Sequence, residues 1–217
     1  MTGLARAHRL LAVVAVAAEA EAIGTIAGVE VVVAGIGRTN AASATTEAIL
    51  RSGPFAAAVS VGIAGALPGG GLALGDLVIA SESVYAEEGL ETPDGFGDMR
   101  ALGFPLGDFE GNRVPADPRL LAALGEFGAV GAVTTVATCS GLDRLAEAIA
   151  RRTGGIAEAM EGAAVLHAAR RLAVPAIEVR AISNTTGDRD RQRWEIKKAF
   201  ATLREFWPKL AAALLDA

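Results

Sequence analysis

Arg9-Leu10-Leu11-Ala12-Val13-Val14-Ala15-Val16-Ala17-Ala18 is the stretch on which the fold turns. Two readings compete for it. With Arg6 and Arg9 ahead of an apolar run that ends in small residues, it has the outline of a short signal peptide. It also has the continuous apolar character of a strand buried on both faces of a parallel sheet. The strand reading, over Leu10–Ala17, is preferred. Cleavage near Ala18 would remove the first strand of the alternating pattern that fills the rest of the chain. No apolar run approaches the roughly 18 residues of a membrane span, so no membrane association is expected.

Outward from that strand, apolar runs of strand length follow at Val29–Ala34, Ala57–Val61, Asp76–Ala80, Ala132–Ala137, Gly155–Ala159 and Ala176–Ile182. Amphipathic runs of helical period lie between or after them at Thr39–Arg51, Pro118–Phe127, Leu142–Arg152, Glu161–Leu172 and Arg193–Leu215. This alternation predicts an α/β fold. The expected form is a single three-layer α/β/α domain over residues 1–217, with a mixed, mainly parallel central sheet and helices on both faces. The one long irregular stretch, Tyr85–Pro115, is rich in Gly and Pro. Its aromatics Tyr85, Phe96, Phe104 and Phe109 argue for packing, including across a subunit interface.

Composition narrows the class. Of 217 residues, 52% are hydrophobic and 21% charged, which excludes a disordered chain. The formal net charge of −5 argues against a nucleic-acid partner. The one cysteine, Cys139, cannot form a disulfide within the chain, which fits a reducing, cytoplasmic compartment. Neither histidine, His8 or His167, has metal-ligand or triad spacing around it, so no metal site is expected.

Ligands of such sheets sit at the carboxyl ends of strands. Three distant stretches bring a carboxylate or amide there, at Glu21, Glu161 and Asn184. Val61-Gly62-Ile63-Ala64-Gly65-Ala66, with Gly69-Gly70-Gly71 and Gly75-Asp76 beyond it, would let a ligand approach the backbone. It serves equally as a tight turn, and no Gly-Lys-Ser/Thr follows to make it a P-loop. In Ala159-Met160-Glu161-Gly162-Ala163-Ala164 the Glu opens a helix, where it would also complement the helix dipole. Val179-Arg180-Ala181-Ile182-Ser183-Asn184 runs into the charged loop Thr185–Arg191, whose charges have a plain reading as solvated.

Together these stretches resemble the nucleoside phosphorylase and hydrolase superfamily, in the branch of methylthioadenosine/adenosylhomocysteine nucleosidases. The matching segments are Ala17-Ala18-Glu19-Ala20-Glu21, Gly62-Ile63-Ala64-Gly65, Met160-Glu161 and Arg180-Ala181-Ile182-Ser183-Asn184. Within the superfamily the chain is most similar to the futalosine hydrolases, through Glu91–Phe96, Ala101–Leu106, Thr135–Gly141, Met160–Val165 and Ile182–Asn184 with Arg189-Asp190-Arg191 and Trp194.

The resemblance implies an N-glycosidase that needs no cofactor and acts on a small-molecule nucleoside. Glu21 would activate water, and Glu161 would hold the ribose hydroxyls with Met160 against the ribose face. The backbone around Ile63, Ala64 and Gly65 and around Thr138, Cys139 and Ser140 would line the water and base pockets. Asn184 stands where the methylthioadenosine nucleosidases carry an aspartic acid. Its amide can donate a hydrogen bond to N7 or O6 of a 6-oxopurine but cannot deliver a proton, which favours hypoxanthine over adenine as leaving group. Asp188 and Asp190 remain open as acids. Arg189, Arg191 and Trp194 are candidates for a distal carboxyphenyl group. A homodimer or larger homo-oligomer and a place in menaquinone biosynthesis are also implied. The rivals are a methylthioadenosine/adenosylhomocysteine nucleosidase, a purine nucleoside phosphorylase, which would need arginines absent from Val61–Gly75, and a non-catalytic nucleoside sensor.

Overall fold

The computed structural model describes residues 9–217; Arg6 and His8 lie outside the described residues. Strand β1 is Leu10–Val14, buried throughout, and lies between β2 (Val29–Val33) and β3 (Ala57–Ala66) with parallel pairing to both. Its side chains alternate between two cores. Leu10, Ala12 and Val14 pack with residues of α1 (Ala17–Ile23), α4 (Pro118–Leu124) and α7 (Ile196–Asp216), among them the fully buried Trp207. Leu11 and Val13 pack with α2 (Arg38–Ser52) and α6 (Gly162–Arg171). A strand covered on both faces has no polar side to show, which explains the unbroken apolar run.

Among the described residues the sheet has eight strands. β3 pairs along one edge with β10 (Ala176–Thr185). Its other edge is shared, by β1 over Ala57–Ser60 and by β9 (Ala157–Ala159) over Gly65–Ala66. β10 continues to β4 (Leu77–Tyr85), β4 to β8 (Ala129–Thr135), and β8 to β9, so five strands close a ring at one end of the sheet. β7 (Arg113–Pro115) pairs with the end of β4. The pairings of β10 with β4, β3 with β9 and β4 with β7 are antiparallel and the rest parallel, giving the mixed, mainly parallel sheet expected.

Several bounds differ from the expected ones. β1 stops at Val14, because the N–H groups of Ala15 and Val16 turn to the Glu19 carboxylate and α1 begins at Ala17. β3 and β10 run further than expected, because Gly62–Ala66 pair with Arg180–Thr185. Of the two readings open for Val61–Ala66, ligand-approaching backbone or tight turn, the turn does not hold: these residues are strand. α7 starts at Ile196 and not Arg193, since Trp194 bridges back to Asn184. Tyr85–Pro115 is less irregular than it reads: it holds the hairpin β5 (Gly89–Thr92) and β6 (Gly95–Asp98), the short α3 (Met99–Leu102) and β7. The remaining helix, α5 (Asp143–Thr153), follows β8.

Candidate active site

A cavity of about 440 Å3 opens at the carboxyl ends of β1, β3, β9 and β10. Glu19 of α1, Ile63–Gly65 of β3, Glu158–Glu161 at the end of β9, and Ser183 and Asn184 of β10 line it. Cys139–Gly141 after β8 close one side, and Arg189, Gln192 and Trp194 stand at its rim. Strands that are far apart in sequence but adjacent in the sheet thus bring Glu161, Asn184, Ile63, Ala64, Gly65, Cys139, Met160, Arg189 and Trp194 together. Thr138 does not line the cavity; its N–H donates to Glu87 Oε1 (3.3 Å).

The carboxylate of α1 that reaches the cavity is Glu19, not Glu21. Glu19 is buried, while Glu21 is exposed on the far side of the helix. Residues two apart on a helix point in nearly opposite directions, whereas positions i, i+3 and i+4 share a face. Glu19 shares its face with Ala22 and Ile23, both buried. That periodicity was present in the sequence and distinguishes the two acids. Glu19 Oε1 accepts from the Ile63 N–H (2.9 Å), and Oε2 from the N–H groups of Ala15 (2.8 Å) and Val16 (3.3 Å). Gly62 makes room for this. A Cβ there would overlap both Glu19 Oε1 and Arg180 Nη1 and lie 2.9 Å from Glu19 Cδ.

Beneath the cavity floor lies a buried charge cluster that sequence reasoning missed. Arg180 is 1% exposed. Its Nε donates to Glu178 Oε1 (2.8 Å), and its Nη2 donates to Ser60 Oγ (2.9 Å) and approaches Glu161 Oε2 at 3.5 Å. Ser83 Oγ donates to the other oxygen of Glu178. Burial drives the Glu178 carboxyl above its ordinary range, opposed by Arg180 and Ser83. Arg180 stays charged, because Glu178, Glu161 and Glu19 outweigh its own desolvation. Gly162 is needed here too, since a Cβ on it would overlap the Glu178 carboxylate. The signal in the sequence was a Glu and an Arg two apart within an apolar strand: on one face of a buried strand, opposite charges have to pair. Glu161 itself is oriented from outside the cluster, its Oε1 accepting from the Gly37 N–H (3.0 Å).

Asn184 follows a register shift in β10 between Ile182 and Asn184, the kind of irregularity that re-aims a side chain beside a site. Its Oδ1 accepts from Ser183 Oγ (2.8 Å), and one Nδ2 hydrogen goes to the Thr185 carbonyl (3.0 Å). An amide nitrogen carries two hydrogens, so one is left for a ligand.

Asp188 and Arg191 are directed elsewhere. They pair with each other (2.5 Å) and with Asp143, and neither lines the cavity. The Asp143 N–H and Arg191 hold the Asp188 carboxyl below its ordinary range, the wrong direction for a proton donor. Asp190 is exposed and also off the cavity wall. Arg189 stacks over the Trp194 ring at 4.7 Å, with Gln192 Oε1 accepting from both side chains. Burial pushes the Cys139 thiol up, and its Sγ sits 3.5 Å from Met160 Sδ, so it has the character of a wall residue rather than of a thiolate nucleophile. His167 packs on α6 against Tyr85 and Phe109, away from the cavity.

The phosphorylase superfamily model matches residues 12–216. The chain is 39% identical over 197 residues to a futalosine hydrolase of Streptomyces coelicolor, covering 86% of this chain and 80% of that protein. It is 38% identical over 186 residues to a futalosine hydrolase of Thermus thermophilus, covering 82% and 79%. Among solved structures, a 5'-methylthioadenosine/S-adenosyl homocysteine nucleosidase of Helicobacter pylori superposes with a TM-score of 0.78 at 18% identity, over 96% of this chain and 99% of that one. At that identity the likeness speaks for the fold, while the sequence relatives carry the closer kinship. The extent of these matches, from within the first strand to the end of the last helix, means that the chain belongs to the phosphorylase superfamily and, within it, to the futalosine hydrolase family.

Proposed function

We propose that this chain is an N-glycosidase that hydrolyses futalosine, releasing hypoxanthine and dehypoxanthine futalosine. One observation carries the reading: a single cavity brings together Glu19 and Glu161, each anchored by backbone N–H groups, and a carboxamide at Asn184. Glycosidic cleavage builds positive charge on the sugar and negative charge on the purine. Glu19, held by three backbone donors, takes the proton of a water whose oxygen attacks the sugar carbon. Glu161 accepts from the ribose hydroxyls and favours the cationic sugar electrostatically. The electron pair of the C–N bond leaves with the purine, whose N7 or O6 receives the free N–H of Asn184.

The rivals lack support in the same residues. A residue that cannot donate a proton stands at position 184, which disfavours adenine as leaving group. No arginine lies along Val61–Gly75 to take a phosphate. A sensor has no need of a buried carboxylate in the position of Glu19. Arg189 on Trp194 at the rim suits an aryl carboxylate. A homodimer or larger assembly, a cytoplasmic setting and a step in menaquinone biosynthesis complete the reading. The test is a panel of futalosine, inosine and methylthioadenosine with and without phosphate. Phosphate-independent hypoxanthine release from futalosine is expected. Release only from methylthioadenosine, or only with phosphate present, overturns the reading.

A further inference from the structure

Glu158 has no part in the chemistry above, yet it is a buried carboxylate on the cavity wall. Sheet register places it with unusual definition. Gly65 pairs with Glu158 of β9 on one edge and with Asn184 of β10 on the other. Residues directly across a pairing project on one face, and two strand spacings separate them by roughly 10 Å. Gly65, having no side chain, leaves the space between them open. An added Cβ would come within 3.0 Å of Asn184 Nδ2 and 2.8 Å of Thr186 Cγ2.

The hydrogen-bond inventory assigns a polarity to each wall. Both donors of Ser140 are committed to Glu158: its N–H to Oε1 (2.8 Å) and its Oγ to Oε2 (2.6 Å). The Ser140 carbonyl is taken by Gln192 Nε2 (2.9 Å) and the Gly187 N–H (3.3 Å). What that wall offers a ligand is therefore the remaining lone pairs of a carboxylate. Opposite it, Asn184 offers one free N–H. Burial pushes the Glu158 carboxyl upward, but the two Ser140 donors oppose this and favour the accepting form. A 6-oxopurine has acceptors at O6 and N7 and a donor at N1. A 6-aminopurine has a lone pair at N1, which a carboxylate repels.

We propose that Glu158 is a specificity-determining residue that accepts a hydrogen bond from N1–H of the leaving 6-oxopurine, across Gly65 from Asn184. This rests on the nucleosidase reading above and deepens it. The contact binds substrate rather than transition state, because the purine gains electron density as its bond breaks and a carboxylate gains nothing from that. Loss of the contact therefore raises KM more than it lowers kcat.

The experiment measures futalosine and its 6-amino counterpart with the wild-type protein and Glu158→Gln. A Gln amide can donate to N1 of the 6-aminopurine and still accept from Ser140. For futalosine, KM is expected to rise about tenfold to about a hundredfold, the range for a lost charge-assisted hydrogen bond, with kcat little changed. KM for the 6-amino substrate is expected to hold or fall. An equal loss on both substrates would mean that Glu158 only supports the Ser140 loop, and would overturn the proposal. A second arm uses the wild-type protein alone: 1-methylhypoxanthine, which lacks the N1 donor, should inhibit at least about tenfold more weakly than hypoxanthine, and equal inhibition also refutes it. Wild-type protein that leaves futalosine intact would refute the nucleosidase reading itself, a result separate from an active wild type whose selectivity ignores position 158.

Discussion

Replacing Arg180 by Met probes the buried cluster and can be followed quantitatively. In the native protein the guanidinium answers Glu178 at 2.8 Å and Glu161 at 3.5 Å, with all three side chains buried. Met fills part of the volume but leaves Glu178 with only Ser83. Breaking a buried pair by removing one partner costs about 3–5 kcal/mol. For a chain of this size that is about 6–20 °C in melting temperature, at roughly 2–4 °C per kcal/mol.

The sign of the pH dependence follows from Glu178. Its folded-state carboxyl is raised above the ordinary value by burial, and in the variant it loses the opposing influence of Arg180. A group whose pKa is raised on folding contributes stability below its unfolded pKa and loses it as pH rises through the folded one. The melting-temperature deficit of Arg180→Met relative to wild type should therefore be smaller at pH 5 than at pH 8. Scanning calorimetry or dye-monitored melting at the two pH values measures it. Identical deficits would mean that Arg180 acts through packing alone, and the electrostatic account of the cluster would be wrong.

Glu19→Gln should lower turnover of futalosine by about 10²–10⁴, the usual contribution of a general base, while Glu21→Gln stays within about twofold, as for an ordinary surface position; steady-state assays of both variants decide between the two carboxylates of α1. Gly62→Ala should destabilise by about 1–3 kcal/mol through overpacking against Glu19 and Arg180 and reduce activity along with stability, read by melting and kinetics together. Arg189→Gln should raise KM for futalosine by about two- to fivefold, the modest value of an exposed ionic contact, without changing KM for inosine, which has no aryl carboxylate. Equal effects on the two substrates would remove Arg189 from tail recognition.

Local pattern is enough to specify the layers of this protein. The apolar run Leu10–Val14, the 3.6-residue period of Arg38–Ser52 and Ile196–Asp216, and their alternation lead directly to a sheet between helices, because burial on one or two faces writes itself into every second or every third to fourth residue. Glu161 and Asn184 were legible as candidates for the cavity wall for a related reason: each is a polar residue interrupting an apolar segment next to a strand end. Pairing between distant strands decided the rest. Whether Gly62–Ala66 is turn or strand depends on β10 lying beside it. That Glu158 faces Asn184 depends on both flanking one glycine. That Arg180 can be buried depends, beyond its strand neighbour, on Glu19 and Glu161, brought to it by α1 and the end of β9. These are relations of register and desolvation between residues far apart in the chain, and no window along the sequence contains both partners.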